Sequence, residues 1–138
     1  MHRKHMFGLA AGLAGIALAF GLGVAIGQQT PPTVTQGVKV SPPTTLDLTE
    51  EIDGVKGRQL RLRIVTIERG GVVAVHTHDG RPGVAYILQG TLTEHREGSG
   101  VIERHEGESW AEGKDTTHWA ENTRDGAVVV LAVDVFKP

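Results

Sequence analysis

No cysteine occurs anywhere in the chain. Its absence excludes disulfides, zinc–thiolate sites and thiol nucleophiles together, and leaves histidine and carboxylate as the available metal ligands. It also excludes a lipoprotein anchor, which needs a cysteine after the apolar leader. Basic excess is missing too. The 14 Lys and Arg stand against 16 Asp and Glu, for a net charge of -2, mixed along the chain. No basic stripe is left to follow a phosphate backbone, so no nucleic-acid partner is expected. At 138 residues there is room for one folded domain and not two. Finally, no stretch after the N-terminal leader carries a convincing helical period, which points away from a helical domain.

What is present begins with the N-terminus. "MHRKH" carries Arg3 and Lys4, and Met6 to Gly27 contains no charged residue. A basic region followed by an apolar one, with small Ala25 and Gly27 before Gln28, has the form of a secretory signal peptide. Its length also suffices for a signal anchor crossing the bilayer. Either form is expected to export the remainder to the periplasm or medium, with the basic residues left on the cytoplasmic side. Membrane contact is expected only through this segment. Residues 28–45, with Pro31, Pro32, Pro42 and Pro43 among threonines, read as an extended linker. The folded domain is expected over 46–138.

Within it the pattern is one of strands and turns. "RQLRLRIVTIERGG" alternates Leu60, Leu62 and Ile64 with Arg61 and Arg63, the period of a half-buried strand that Gly70 and Gly71 end. "VVAVH" follows, with Ala74, His76 and His78 on one face. Further strands are "VAYIL", "TLTEHR", "VIERHE", "ESWAE", "THWAEN" and the long "AVVVLAVDVF". Eight or nine short strands broken by glycine turns imply an all-β sandwich or barrel.

Five of the seven histidines lie outside the leader: His76, His78, His95, His105 and His118. An HxH pair on a strand face meets only one of the geometric conditions for metal binding. Its context says more. Gly70, then His76-Thr77-His78, then "VAYILQG" ending at Gly90 resembles the first motif of the cupin family. "GESWAEGKDTTHWAEN", with His118 and Asn122, resembles the second. The resemblance implies a double-stranded β-helix, a jelly-roll barrel. It also implies a metal held by two histidines and a glutamate of motif one and a histidine of motif two. Carried onto this chain, the ligands are His76, His78 and His118, and the divalent ion is iron, manganese, zinc, copper or nickel. The glutamate is missing: its place, immediately before "VAYILQG", is Gly83. Asp79, Gln89 and Glu94 stand nearby, none at the expected position.

Arg81 is a candidate partner for a substrate carboxylate, and Tyr86 and Trp110 are candidates to line the barrel around a ligand. Trp119 should face away from His118, Asn122 should tie down a turn, and His95 and His105 should lie on the surface, facing each other across a hairpin. Two functions follow. One is a small-molecule metalloenzyme of dioxygenase, isomerase or lyase type; the other is a non-catalytic cupin binding a small ligand or metal. Homodimerisation through edge strands is consistent with either.

Overall fold

The computed structural model describes residues 29–138. The expected signal or anchor segment, 1–27, lies outside the described residues. Nine strands follow one another: β1 (Gln36–Val40), β2 (Thr44–Asp47), β3 (Gln59–Thr77), β4 (Gly83–Gln89), β5 (Thr91–Arg96), β6 (Gly100–His105), β7 (Ser109–Glu112), β8 (Thr117–Glu121) and β9 (Val128–Phe136). Among the described residues there is no helix. The strands pair in the order β6-β5-β8-β3-β9-β4-β7, with β1 and β2 added on β3, and curl into a nearly closed barrel.

Two expectations need correction. Gly70 and Gly71 do not end a strand: β3 runs through them and changes partners there. Its first half pairs with β9, from Gln59↔Phe136 to Ile67↔Val128. Its second half pairs with β8, from Val72↔Glu121 to Thr77↔Thr117. The chain can cross because Gly70 takes φ 73° and a Cβ on Gly71 would meet the Gly37 carbonyl at 2.6 Å. Asn122 fixes the crossing. Its backbone exchanges bonds with Gly70 and Gly71 at 2.8 and 3.0 Å, and its side-chain amide donates to the carbonyls of Ile67 and Gly126. The stretch read as linker is also partly structured, since Val38 sits opposite Ile67 and Thr44 opposite Leu62. Proline confines such a segment to an edge without preventing it from pairing.

The polarity of the first half of β3 is the reverse of what its leucines suggest. Leu60 and Leu62 are 37 and 38% exposed, while Arg61 and Arg63 turn inward to Asp134 on β9. Outside, Leu62 lies in a row with Val133 and Val84 across β3, β9 and β4. The apolar core sits further along the barrel, where Ile67, Ala85, Ile87, Leu92, Ala120, Val128 and Val130 pack together. Each of the larger aliphatic side chains adds about 1.5–3 kcal/mol by leaving water. The inner side chains of this cluster form the floor of a cavity of about 360 Å³.

Candidate metal centre

Three histidines meet above that floor. His76 stands near the end of β3, His78 just beyond it, and His118 on β8 is the direct cross-strand partner of His76. Directly opposed residues in a sheet point to the same face, so this register alone aims His118 at His76. The Nε2 of His118 lies 3.0 Å from that of His78 and 3.1 Å from that of His76. Each Nδ1 faces an oxygen instead: the Ala74 carbonyl at 2.8 Å for His76, the Arg81 carbonyl at 3.4 Å for His78, and Glu94 Oε1 at 2.7 Å for His118.

Two of these contacts fix the tautomers of His76 and His118. A carbonyl oxygen only accepts, so the Nδ1 of His76 carries the proton, and the carboxylate imposes the same tautomer on His118. A neutral imidazole protonated at Nδ1 has a lone pair at Nε2. Two such lone pairs 3.1 Å apart make no hydrogen bond and repel unless a cation lies between them. Burial makes a proton a poor candidate. It pushes His78 down to about 4, aided by the charges of His118 and Arg81. It lowers His76 as well, with His118, His78 and Arg81 adding to the effect. The donor set fits a divalent transition metal, with the Nδ1 partners orienting each ring from behind.

Glu94 is the strongest of those partners. It is fully buried and accepts from His118, from Arg96 at 2.9 Å and from Arg104 at 2.9 Å. Burial alone would raise its carboxyl, but the bonds from His118, Arg104 and Arg96 outweigh burial and hold it at about 2. Glu94 therefore stands behind His118 and away from the Nε2 cluster. Asp79 and Gln89 are both exposed.

The other expected residues divide. Arg81 lines the cavity and places Nη1 3.3 Å from Asp134 Oδ2. Trp110 also lines it, donating its indole N–H to Glu112 Oε1 at 2.9 Å, with Arg104 over its ring. Tyr86 does not. It is 40% exposed and points out of the barrel, since the buried Ala85 and Ile87 on either side of it take the inward positions of β4. Gly83 is flanked in register by Asp134 on β9 and Glu112 on β7. Trp119 faces away from the site as expected and stacks on His95 at 3.6 Å. His95 and His105 do not face each other: their cross-strand partners are Val101 and Thr91. His95 is instead largely covered and bonded to Glu121.

Three site residues, Arg63, Asp134 and Glu112, carry no site role in the sequence reading, and Glu94, named there only beside the missing carboxylate, takes another role. Arg63 and Asp134 line or border the cavity, Glu94 supports a histidine, and Glu112 places Oε2 3.3 Å from His78 Nε2. Charged residues alternating with apolar ones read as solvent-facing, and only the register shows otherwise. A usable signal existed for Glu112, which alternates with Trp110 and so shares its face.

Comparison with known proteins agrees with this fold. Residues 63–134, more than half of the chain, match the family model of the cupin domain, Cupin_2. No curated protein matches. Among solved structures, a predicted oxalate decarboxylase from Thermotoga maritima is similar with a TM-score of 0.50 and 19% identity over 68% of this chain and 91% of that one. The Cupin_2 domain of an XRE family transcriptional regulator from Enterobacter cloacae gives 0.55 and 14%, over 75 and 99% of the two chains. The Cnp3 cupin domain of Schizosaccharomyces pombe gives 0.56 and 14%, over 80 and 69%. At such identities the likeness concerns the fold, and these proteins differ widely in what they do. With both histidine motifs inside the matched region and their three side chains converging in one jelly-roll barrel, the chain belongs to the cupin family.

Proposed function

We propose that this cupin binds one divalent transition metal through Nε2 of His76, His78 and His118, and acts on a small anionic, oxygenated molecule held in the cavity beside it. The observation that carries the reading is the set of Nε2 atoms 3.0 and 3.1 Å apart whose Nδ1 atoms are already engaged. A metal there would supply Lewis-acid polarisation of an oxygen or activation of dioxygen, as dioxygenase, isomerase or lyase chemistry requires.

The chain's own residues support an anionic ligand. Arg61, Arg63 and Arg81 converge on the single carboxylate of Asp134, three positive charges against one negative, which leaves a net +2 at that side of the barrel. Arg63 Nε is buried without a hydrogen-bond partner among the described residues. Such a donor in a cavity wall is accounted for when a ligand oxygen completes it. Trp110 and the aliphatic floor offer the apolar complement and exclude bulk water. Export and homodimerisation belong to the same proposal. The first rests on Arg3, Lys4 and the apolar run after them, the second on the exposed row that includes Leu62 and Val84.

The test is metal content. Full-length protein reconstituted with zinc, manganese, iron or cobalt and freed of excess ion should retain about one equivalent by elemental analysis, and His118→Ala should retain none. No retained metal in the wild type, or equal retention in the variant, overturns the reading.

A further inference from the structure

Gly83 stands where the motif-one glutamate was expected, and the backbone shows why no side chain is there. A Cβ at Gly83 would lie 2.6 Å from the Val133 carbonyl oxygen and 3.1 Å from Asp134 Cβ. Adding a glutamate would require β9 to move. Gly83 is nevertheless the centre of a row, with Asp134 opposite it on one side and Glu112 on the other. Residues opposed in register share a face, so two carboxylates flank the glycine on the interior of the barrel. Asp134 is taken up by the arginines. Glu112 is not.

We infer that Glu112 supplies, from β7, the carboxylate that motif one lacks, as a fourth protein donor to the ion held by the three histidines. The inference rests on the metal-binding reading above. Glu112 is only 9% exposed, and its Oε2 lies 3.3 Å from His78 Nε2. Donors sharing one ion through bonds of about 2.0–2.2 Å stand roughly 2.8–3.6 Å apart, across octahedral and tetrahedral arrangements. The two Nε2 pairs at 3.0 and 3.1 Å and the Oε2 contact at 3.3 Å all fall within that range. Oε1 accepts the Trp110 indole N–H and lies 3.7 Å from His118 Nε2. The carboxylate stands outside the group of His76, His78 and His118, whose ligand atoms lie within 4.8 Å of one another, so Oε2 must swing from its contact with His78 toward the ion by rotation of the Glu112 side chain. One oxygen is thus anchored and the other is presented to the site, as expected of a ligand held by a neighbouring donor. The charge of a divalent centre then falls from +2 to +1, and the attraction for an anion comes chiefly from the arginines.

The competing account is that Glu112 merely accepts a hydrogen bond from His78 Nε2–H, since the Nδ1 contact of that ring, at 3.4 Å, is the longest of the three. Cobalt(II) separates the two. Full-length wild type and Glu112→Gln are titrated with the ion against a chromophoric chelator, and the visible absorption of each complex is recorded. Glutamine keeps size and hydrogen bonding but loses the charge, so cobalt should bind at least ~10-fold more weakly, with altered visible bands. Gly83→Glu added to that variant should not restore binding. Unchanged affinity and spectrum in Glu112→Gln overturn the inference while leaving the three-histidine site intact, and restoration by Gly83→Glu overturns its steric step. No cobalt binding by the wild type overturns the metal reading itself. Should Glu112→Gln fail to fold, as judged by circular dichroism, the infrared difference between cobalt-loaded and metal-free wild type decides. A displaced carboxylate stretching band is expected, and its absence refutes the assignment.

Discussion

Replacing Asp134 by asparagine should weaken the fold and strengthen anion binding. Asp134 is 4% exposed and accepts from Arg61 Nε at 2.9 Å, Arg61 Nη2 at 2.7 Å, Arg63 Nη2 at 3.2 Å and Arg81 Nη1 at 3.3 Å. Asparagine preserves the shape and one acceptor but leaves three partly buried guanidiniums without a counter-charge. Removing one partner from such a cluster costs about 3–5 kcal/mol, and at roughly 4 °C per kcal/mol the variant should melt ~12–20 °C below the wild type at neutral pH. The pH dependence has a definite sign. Burial would raise the Asp134 carboxyl, but the Arg61 hydrogen bond and the charges of Arg63, Arg61 and Arg81 outweigh it and hold the group below its ordinary 3.8. A depressed folded value means that the contribution is complete above the unfolded value and is lost as pH falls below it. The gap between the two melting curves should therefore narrow in acid. At the same time the local charge rises from +2 to +3, so a small dicarboxylate such as malonate should stabilise the variant at lower concentration than the wild type. At 100 times its dissociation constant it restores about 2.7 kcal/mol. Scanning calorimetry with and without the anion measures both effects. Equal melting temperatures at pH 7, or a gap that does not narrow in acid, would refute the argument.

Two further changes probe neighbouring parts of the site. Glu94→Gln should lower metal affinity by about 10–100-fold, because the residue fixes the ring of His118 from behind; metal titration checks this. Metal-free wild type should also lose about 3 kcal/mol as pH falls from the ordinary glutamate value of 4.5 to about 2. The variant, with no carboxyl to titrate, should lack that part of the acid transition. Arg63→Met keeps the stem and removes the unpartnered Nε. It should weaken malonate binding about tenfold or more, read by calorimetric titration, with bound metal still near one equivalent.

The all-β architecture and the three histidines were legible because both depend on local pattern. Strand period, glycine turns and the HxH spacing are local signals, and the cupin resemblance added the pairing of His76 and His78 with His118 across forty residues. What was not legible depends on register. Leu60 and Leu62 alternate with Arg61 and Arg63 equally well with either face inward, and the choice is made by a residue some seventy positions away. Asp134 lies opposite Arg61, which turns the arginines in and leaves the leucines to the outer row. The same held for β1 and β2: prolines and threonines read as linker until an open edge of β3 is seen to accept them. Tyr86 fails for the complementary reason, since on β4 the inward positions belong to Ala85 and Ile87.

Gly83 combines both kinds of information. In the linear motif it marks a missing ligand, which weakens the case for metal. In the sheet it is the narrow point of the row Asp134–Gly83–Glu112, where a side chain has no room and where a carboxylate on each neighbouring strand does. Two positions that face the same side of the barrel can thus be nearly thirty residues apart in sequence, because adjacent strands bring the same face to the same point. A metal centre is specified by where its donor atoms end up, and in a barrel that position can be reached from more than one strand. The loss of the glutamate from motif one therefore says little about the charge of the site, which the register of β4 with β7 decides.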